Sequence, residues 1–157
     1  MTFNKKDLLD QLIAIVKEKL DYSTREALSL KEAATNEESK AENKYDTRGL
    51  EASYMAQAQA LRVSELKKDF YELTKLKLPK SPKKVVLGSL IGLIDIESKN
   101  QAFYLLLNIG GYSLTAENQV KVKTVSVSSP LGAKLLGKET DDEFIFRKKV
   151  YEINNLS

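Results

Sequence analysis

Two heptad repeats of mainly apolar residues in the first half of the chain constrain its fold more than any other feature. In the first repeat, successive members are separated by steps of four and three residues: Leu9, Ile13, Val16, Leu20, Ser23, Ala27, Leu30 and Ala34. A second repeat follows the same steps: Ala52, Ala56, Gln59, Val63, Leu66, Phe70 and Leu73. This spacing places each set on one face of an α-helix, and it therefore predicts two long helices that pack as a coiled coil.

The segment between the two repeats is short, polar and acidic. It contains EESKAENKYDT, residues 37–47, and residues 44–49 continue neither repeat. Two helices joined by a short connection fold back on each other, so we expect an antiparallel hairpin. Arms of about 30 residues are about 45 Å long at 1.5 Å per residue. Residues 37–49 are then the tip of this hairpin.

Charge is distributed unevenly along the chain. Residues 32–51 carry six acids and three bases, whereas residues 62–84 carry eight bases and three acids. Within the acidic stretch, Glu38 and Glu42 are four residues apart and would share one helix face, where like charges cost a few tenths of a kcal/mol. The acids could simply keep an exposed turn in solution. The two patches together nevertheless suggest two contact surfaces with different partners.

The chain of 157 residues contains no Cys and no His, which removes whole classes of chemistry. It has no thiolate nucleophile, no imidazole base, no disulfide and no zinc site of the usual kind. A bound metal would be a hard cation such as Mg²⁺, held by carboxylates. Because the first residues are polar and the apolar run near residues 85–96 is short and broken by glycine, we expect a cytoplasmic protein without a membrane partner.

The second half of the chain predicts a small α+β domain. LPKSP at 78–82 ends the second helix, because proline cannot continue it. Ser129 followed by Pro130 predicts the start of a short helix that ends at Gly137. Apolar or alternating runs predict the strands of a small sheet at 85–87, 90–96, 102–107, 120–127, 143–146 and 150–153.

The segment VSVSSPLGAKLLGKETDDEF, residues 125–144, carries a resemblance to a known family. It resembles the carboxy-terminal domain of Gre transcription elongation factors, and VVLGSLIGLIDIESKNQAFYLLL at 85–107 resembles the first hairpin of that domain. The acidic helical hairpin precedes it in the Gre order, so the resemblance covers nearly the whole chain. It implies an α+β protein with an antiparallel coiled-coil hairpin at 1–78 and an FKBP-like domain with a small antiparallel sheet at 79–157.

The resemblance also implies a function. A Gre factor is an accessory protein, not an enzyme, that docks on bacterial RNA polymerase and passes its hairpin through the secondary channel. Its tip carboxylates help to hold a Mg²⁺ shared with the polymerase, so that backtracked RNA is cleaved at its nascent 3′ end. Glu42 and Glu38 are then the expected catalytic carboxylates, and Asp46 is a further expected Mg²⁺ ligand. No cofactor of its own is expected.

The same resemblance assigns two further sets of residues. The turn formed by Ser129, Pro130, Leu131 and Gly132 is expected to dock on the polymerase. Lys67 and Lys68 are the basic residues expected to lie near the RNA, although a lysine run on a helix is more often a solvated face. The factor is expected to act as a monomer.

Two departures from the Gre pattern leave alternatives open. Glu42-Asn43 matches the Glu-Asn of a Gre tip, but Ser39 occupies the position of its Asp, and Ser128 replaces an acid that often precedes Ser-Pro. The chain could therefore stimulate cleavage, or occupy the channel and inhibit the polymerase without cleaving RNA. An FKBP-type peptidyl-prolyl isomerase is another possibility, disfavoured because those pockets usually include a Trp and this chain has none. A purely structural coiled coil would leave the SPLG domain unexplained.

Overall fold

The computed structural model describes residues 3–35, 42, 45 and 47–157. Its elements are the helices α1 (Lys5–Thr35), α2 (Arg48–Lys75) and α3 (Pro130–Leu135), and the strands β1 (Leu90–Asp95), β2 (Gln101–Leu107), β3 (Ser113–Thr115), β4 (Lys121–Ser126), β5 (Glu143–Phe146) and β6 (Lys149–Leu156). The predicted α+β class is confirmed. In the part of the chain that the structure describes, no helix is both long enough and apolar enough to cross a bilayer.

The chain divides into two compact units. One is Ile13–Thr74, and the other combines Met1–Leu12 with Lys75–Ser157. We call them the hairpin unit and the sheet unit. The domain bounds expected from the sequence, 1–78 and 79–157, stay a prediction.

Burial in the hairpin unit follows the two heptad repeats. Val16, Ser23, Leu66 and Leu73 are buried, and the other described repeat members in this unit are half-buried. Two grooves between α1 and α2 show how the helices are aligned. One is lined by Ser23 of α1 and Leu66 of α2, and the next along α1 is lined by α1 residues between 24 and 31 and α2 residues between 56 and 63. Residue numbers therefore rise along α1 as they fall along α2, which makes the two helices antiparallel. Coiled-coil packing in the strict sense stays a prediction.

The sheet unit contains one six-stranded sheet with the order β3-β4-β2-β1-β6-β5. Four of the five strand pairs are antiparallel, as expected, but β2 and β4 are parallel, with Phe103 opposite Val122 and Leu107 opposite Ser126. The sequence interpretation did not include β3. This strand lies between β2 and β4 along the chain, and it makes the crossover that a parallel pair requires.

The strand predicted at 85–87 does not form. Val85 is nevertheless fully buried, and its backbone N–H donates to the Lys138 carbonyl (2.7 Å) while its carbonyl accepts from the Gly137 N–H (2.8 Å). The apolar run therefore indicated burial correctly at Val85 but not at Val86, which is 42% exposed, and it indicated a strand wrongly. Two hydrogen bonds to the segment after α3 satisfy this backbone without a strand neighbour.

The two faces of the sheet have different covers. On one face, α3 packs its buried Leu135 into a core with Ile91, Leu106 and Ile153. On the other face, Phe3, which precedes α1, packs its ring 4.7 Å from the ring of Phe103. The Gln11 side-chain oxygen accepts a 2.8 Å hydrogen bond from the backbone N–H of Thr115, which is the last residue of β3. The start of α1 is thus part of the sheet unit.

Candidate functional site

The acidic tip is described at only a few residues. Glu42 is exposed, with 80% of its side chain accessible, and its Oε1 lies 3.6 Å from a guanidinium nitrogen of Arg48. Exposed ion pairs contribute about 0–1 kcal/mol, so this one would not hold the carboxylate away from a stronger ligand. Glu38 and Asp46, the other two expected tip carboxylates, lie outside the described residues, as does Ser39.

The helix after the tip starts earlier than the sequence indicated. Arg48 and Gly49, expected in the tip, are already in the first turn of α2. The Thr47 carbonyl accepts from the Glu51 N–H at 2.9 Å, and the Thr47 hydroxyl donates to the Glu51 carboxylate at 3.0 Å. These bonds close the first turn, and Gly49 accepts a 3.0 Å hydrogen bond from the Ser53 hydroxyl. These two residues therefore belong to α2, while the extent of the tip stays a prediction.

The described carboxylates do not form a metal site by themselves. Among residues 3–35, 42, 45 and 47–157, no three Asp or Glu side chains are grouped closely enough to hold a metal ion. Mg²⁺ requires near-octahedral oxygen coordination, which a single exposed Glu42 cannot supply. Glu42 fits the metal only as one ligand of a set completed elsewhere.

The SPLG turn is a tightly built helix start. The Ser129 side chain caps α3 by accepting from the Gly132 N–H at 3.0 Å, and its hydroxyl donates to the Ser126 carbonyl at 2.7 Å. Pro130 occupies the first turn, where its missing N–H costs nothing. A Cβ on Gly132 would overlap the Ser126 carbonyl group, with only 2.8 Å to its carbon. This position therefore requires glycine.

A serine network joins the turn to the end of β2. The Ser126 hydroxyl donates to the Asn108 carbonyl at 3.0 Å and lies 2.8 Å from the Ser128 hydroxyl. Ser128, which stands where Gre factors often carry an acid, is exposed. Of the four expected docking residues, Pro130 is exposed and Leu131 packs partly against the core. Ser129 and Gly132 build the turn that presents them.

The lysines expected near RNA lie on a face of mixed charge. Lys67 and Lys68 are both exposed on α2, and the Lys68 ammonium is 3.9 Å from the Glu72 carboxylate. Nearby, partial burial raises the pKa of Asp69, and the neighbouring Glu72 raises it further. Acids are thus interleaved with the lysines, which weakens any purely basic character of this face.

The sequence did not indicate an ion pair that the sheet unit contains, between the buried Asp95 and the exposed Lys149. Asp95 is only 3% exposed, and its carboxylate accepts from the N–H groups of Glu97 (3.0 Å) and Ser98 (3.1 Å) and from the Lys149 ammonium (2.7 Å). The ammonium, followed by the backbone donors, lowers the pKa of Asp95 to about 2, and in return the pKa of Lys149 is raised. Its sequence signal was an Asp three residues before the SKN turn at 98–100.

Comparison with known proteins gave one curated relative and several solved structures. The chain is 35% identical over 65 residues to the transcription elongation factor GreA of Desulfotalea psychrophila, a match that spans 41% of this chain and 37% of that protein. No family model matches.

The solved structures align over most of their length at low identity. The GreA factor homolog 1 (Gfh1) of Thermus thermophilus is 20% identical with a TM-score of 0.35, over 95% of this chain and 92% of that one. A GreA/GreB factor from Nitrosomonas europaea is 16% identical with a TM-score of 0.37, over 67% and 93%. At these values the superpositions carry no argument about activity.

Proposed function

We propose that this chain, a divergent relative of the Gre transcription elongation factors, binds bacterial RNA polymerase and carries its tip carboxylates to the polymerase active centre. The observation that carries the proposal is the exposed Glu42 between antiparallel helices of 31 and 28 residues. At 1.5 Å per residue these helices are about 45 Å long, which suits a channel tens of ångströms deep. The factor would work as a cytoplasmic monomer without catalysing a reaction on its own.

Glu42 would act by completing a metal site that belongs mainly to the polymerase. A bound Mg²⁺ in such a site activates water and stabilises the charge that develops on phosphate. Glu42 would offer one carboxylate oxygen, with Glu38 and Asp46 as further candidates. Attack of water on a backtracked transcript would then release its 3′ fragment and restore a 3′ end in the active centre.

The SPLG turn would dock the sheet unit on the polymerase. The Ser126–Ser128–Ser129 hydrogen bonds and the cap on α3 fix its backbone, so little conformational entropy would be lost on binding. Exposed Pro130 and part of Leu131 would supply the contact. Ser128 replaces an acid, so this docking would lack one ion pair.

The test is a backtracked elongation complex with 3′-labelled RNA and Mg²⁺. We expect the protein to accelerate cleavage and Glu42→Ala to lose at least about tenfold of that acceleration, since one carboxylate ligand is removed. Glu38→Ala shows whether this residue substitutes for the missing Asp. Glu65→Ala is the matched control, because Glu65 is an exposed acid on α2 away from the tip. Equal acceleration by Glu42→Ala and the unaltered protein would overturn the role of the tip.

A second candidate function is inhibition without cleavage, favoured by Ser39 at the usual Asp position. One carboxylate fewer would weaken metal coordination while the hairpin still fills the channel. In the same assay this protein would slow cleavage and nucleotide addition while it still bound the polymerase. Slower cleavage with retained binding therefore selects inhibition, and faster cleavage selects stimulation.

A further inference from the structure

We propose that the turn between β5 and β6 binds the phosphate backbone of nucleic acid. Arg147, Lys148 and Lys149 follow one another there, immediately after Phe146, which pairs with Lys149 as the last pair of the hairpin. All three cations are exposed. This basic turn is a different surface from both the acidic tip and the SPLG turn, and the proposal does not depend on the proposed function.

The backbone of the basic turn does not explain its residues. Arg147 and Lys148 have φ of 50° and 66°, and both lie in the left-handed region. Two-residue hairpin turns with positive φ at both positions favour Asn-Gly, because other side chains crowd the backbone there. The left-handed conformation is unfavourable for a residue that has a Cβ. Two adjacent cations occupy these unfavourable positions, so the turn geometry does not account for them. The property that they add to the turn is positive charge.

Contacts around the basic turn hold it in place. Lys149 is bound to the buried Asp95, whose carboxylate also fixes the turn between β1 and β2. The Arg147 guanidinium lies 5.2 Å from the Phe146 ring centroid. The Ile96 N–H donates to the carbonyl of the residue after Lys149 at 3.0 Å. The cations are therefore presented by a backbone that is already ordered before a partner binds.

The charge balance at this end of the sheet is positive. Asp95 is hydrogen-bonded both to the β1–β2 turn and to Lys149. The exposed Lys99 of that turn therefore lies at the same end of the sheet as Arg147 and Lys148. Glu97 is the acid of that turn, and Asp95 is paired with Lys149. The two acids of the β5–β6 hairpin, at positions 143 and 152, face each other at its opposite end. Residues 75–157 carry thirteen bases and eight acids, which favours approach of a polyanion.

A phosphate backbone fits this surface better than an acidic protein does. Protein interfaces are depleted of lysine and are built around an apolar centre. Positions 147–149 contain no apolar residue, and the neighbouring exposed pair Ile145 and Val150 is too small to form such a centre. Guanidinium and ammonium groups are the usual partners of backbone phosphates, and such contacts need no base sequence.

The test measures binding of the full chain to labelled nucleic acid in the absence of polymerase. The probes are a single-stranded RNA and a duplex DNA, each about 30 nucleotides long, and binding is followed by fluorescence anisotropy between about 50 and 200 mM salt. The variant combines Arg147→Asn with Lys148→Gly, which removes both charges and supplies the residues that the turn geometry prefers. Its Tm should be equal or higher, so a loss of binding would not reflect unfolding. We expect affinity at low salt to fall about tenfold and the duplex salt slope to fall by about 2.

The matched control combines Lys121→Ser with Lys123→Ser, which removes two exposed cations from β4 in the same unit. We expect less than about a twofold change in affinity for this control. The proposal is overturned if the turn variant keeps its affinity and salt slope, or if the control loses as much. Binding of the same variants to RNA polymerase is measured separately. The proposal is also overturned if the turn variant binds nucleic acid normally but loses polymerase binding, because the turn would then contact an acidic protein surface.

Discussion

Two single residues of the sheet unit, Gly132 and Asp95, fix the local backbone around them. Gly132 admits no Cβ beside the Ser126 carbonyl, and Asp95 gathers three donors onto one carboxylate. Neither role is visible in composition or periodicity. Each of them gives a prediction at the scale of one residue.

We predict that Gly132→Ala destabilises the protein by about 1–3 kcal/mol or more, because the added methyl group has to displace backbone atoms. The measurement is urea unfolding followed by circular dichroism. Gly137→Ala is the control: Gly137 has φ of 81° with open space around it, so it reports backbone conformation without a clash. A change of less than about 0.5 kcal/mol at Gly132 would show that crowding there is unimportant.

Asp95→Asn should lower the Tm at neutral pH and leave it nearly unchanged near pH 2. The folded pKa of Asp95 is about 2 and its ordinary value is 3.8. A lowered pKa means that the carboxylate stabilises the fold above about pH 4, and this contribution is lost as pH falls towards 2. Thermal unfolding from pH 7 to pH 2 checks this. A Tm difference that stays constant over this range would contradict the assignment.

Helices and strands differ in how well the sequence predicts them. The two heptad repeats gave both long helices, and the Ser129-Pro130 pair gave the start of α3, since those signals act locally. β3 has three residues, too few for a pattern, and only its pairing with β4 makes it a strand. Val85 is buried but lies outside any strand, because an apolar run indicates burial without specifying the backbone partner.

At the scale of the helix, the two faces of α2 should respond oppositely to the same change. Leu66 is 1% exposed and Leu61 is 63% exposed. We predict that Leu66→Ala costs about 2–5 kcal/mol through lost burial and a cavity. Leu61→Ala should change stability by less than about 0.5 kcal/mol. Denaturant unfolding compares them directly, and similar losses would mean that the repeat does not define the packed face.

The whole molecule separates its surfaces between two units. Glu42 lies between the helices α1 and α2, whereas the SPLG turn and the basic turn belong to the sheet unit. The sequence alone predicted the helix start in the SPLG turn, because it carries a local motif, and the acidic tip stays a prediction. It could not locate the ion pair of Asp95 with Lys149, 54 residues apart, since only the alignment of β1 with β6 brings them together.

The most direct test of the proposed function is the position of the tip when the protein is bound to RNA polymerase. The chain has no Cys, so Tyr45→Cys, at an 80% exposed position, gives one attachment point for a photocrosslinker and leaves Glu42 intact. Val86→Cys, at a 42% exposed position of the sheet unit outside the basic turn, is the control. We predict that the label at position 45 crosslinks to the polymerase active centre and to the 3′ end of backtracked RNA, while the label at position 86 does not. Crosslinks from position 45 only to the outer surface of the polymerase would contradict it.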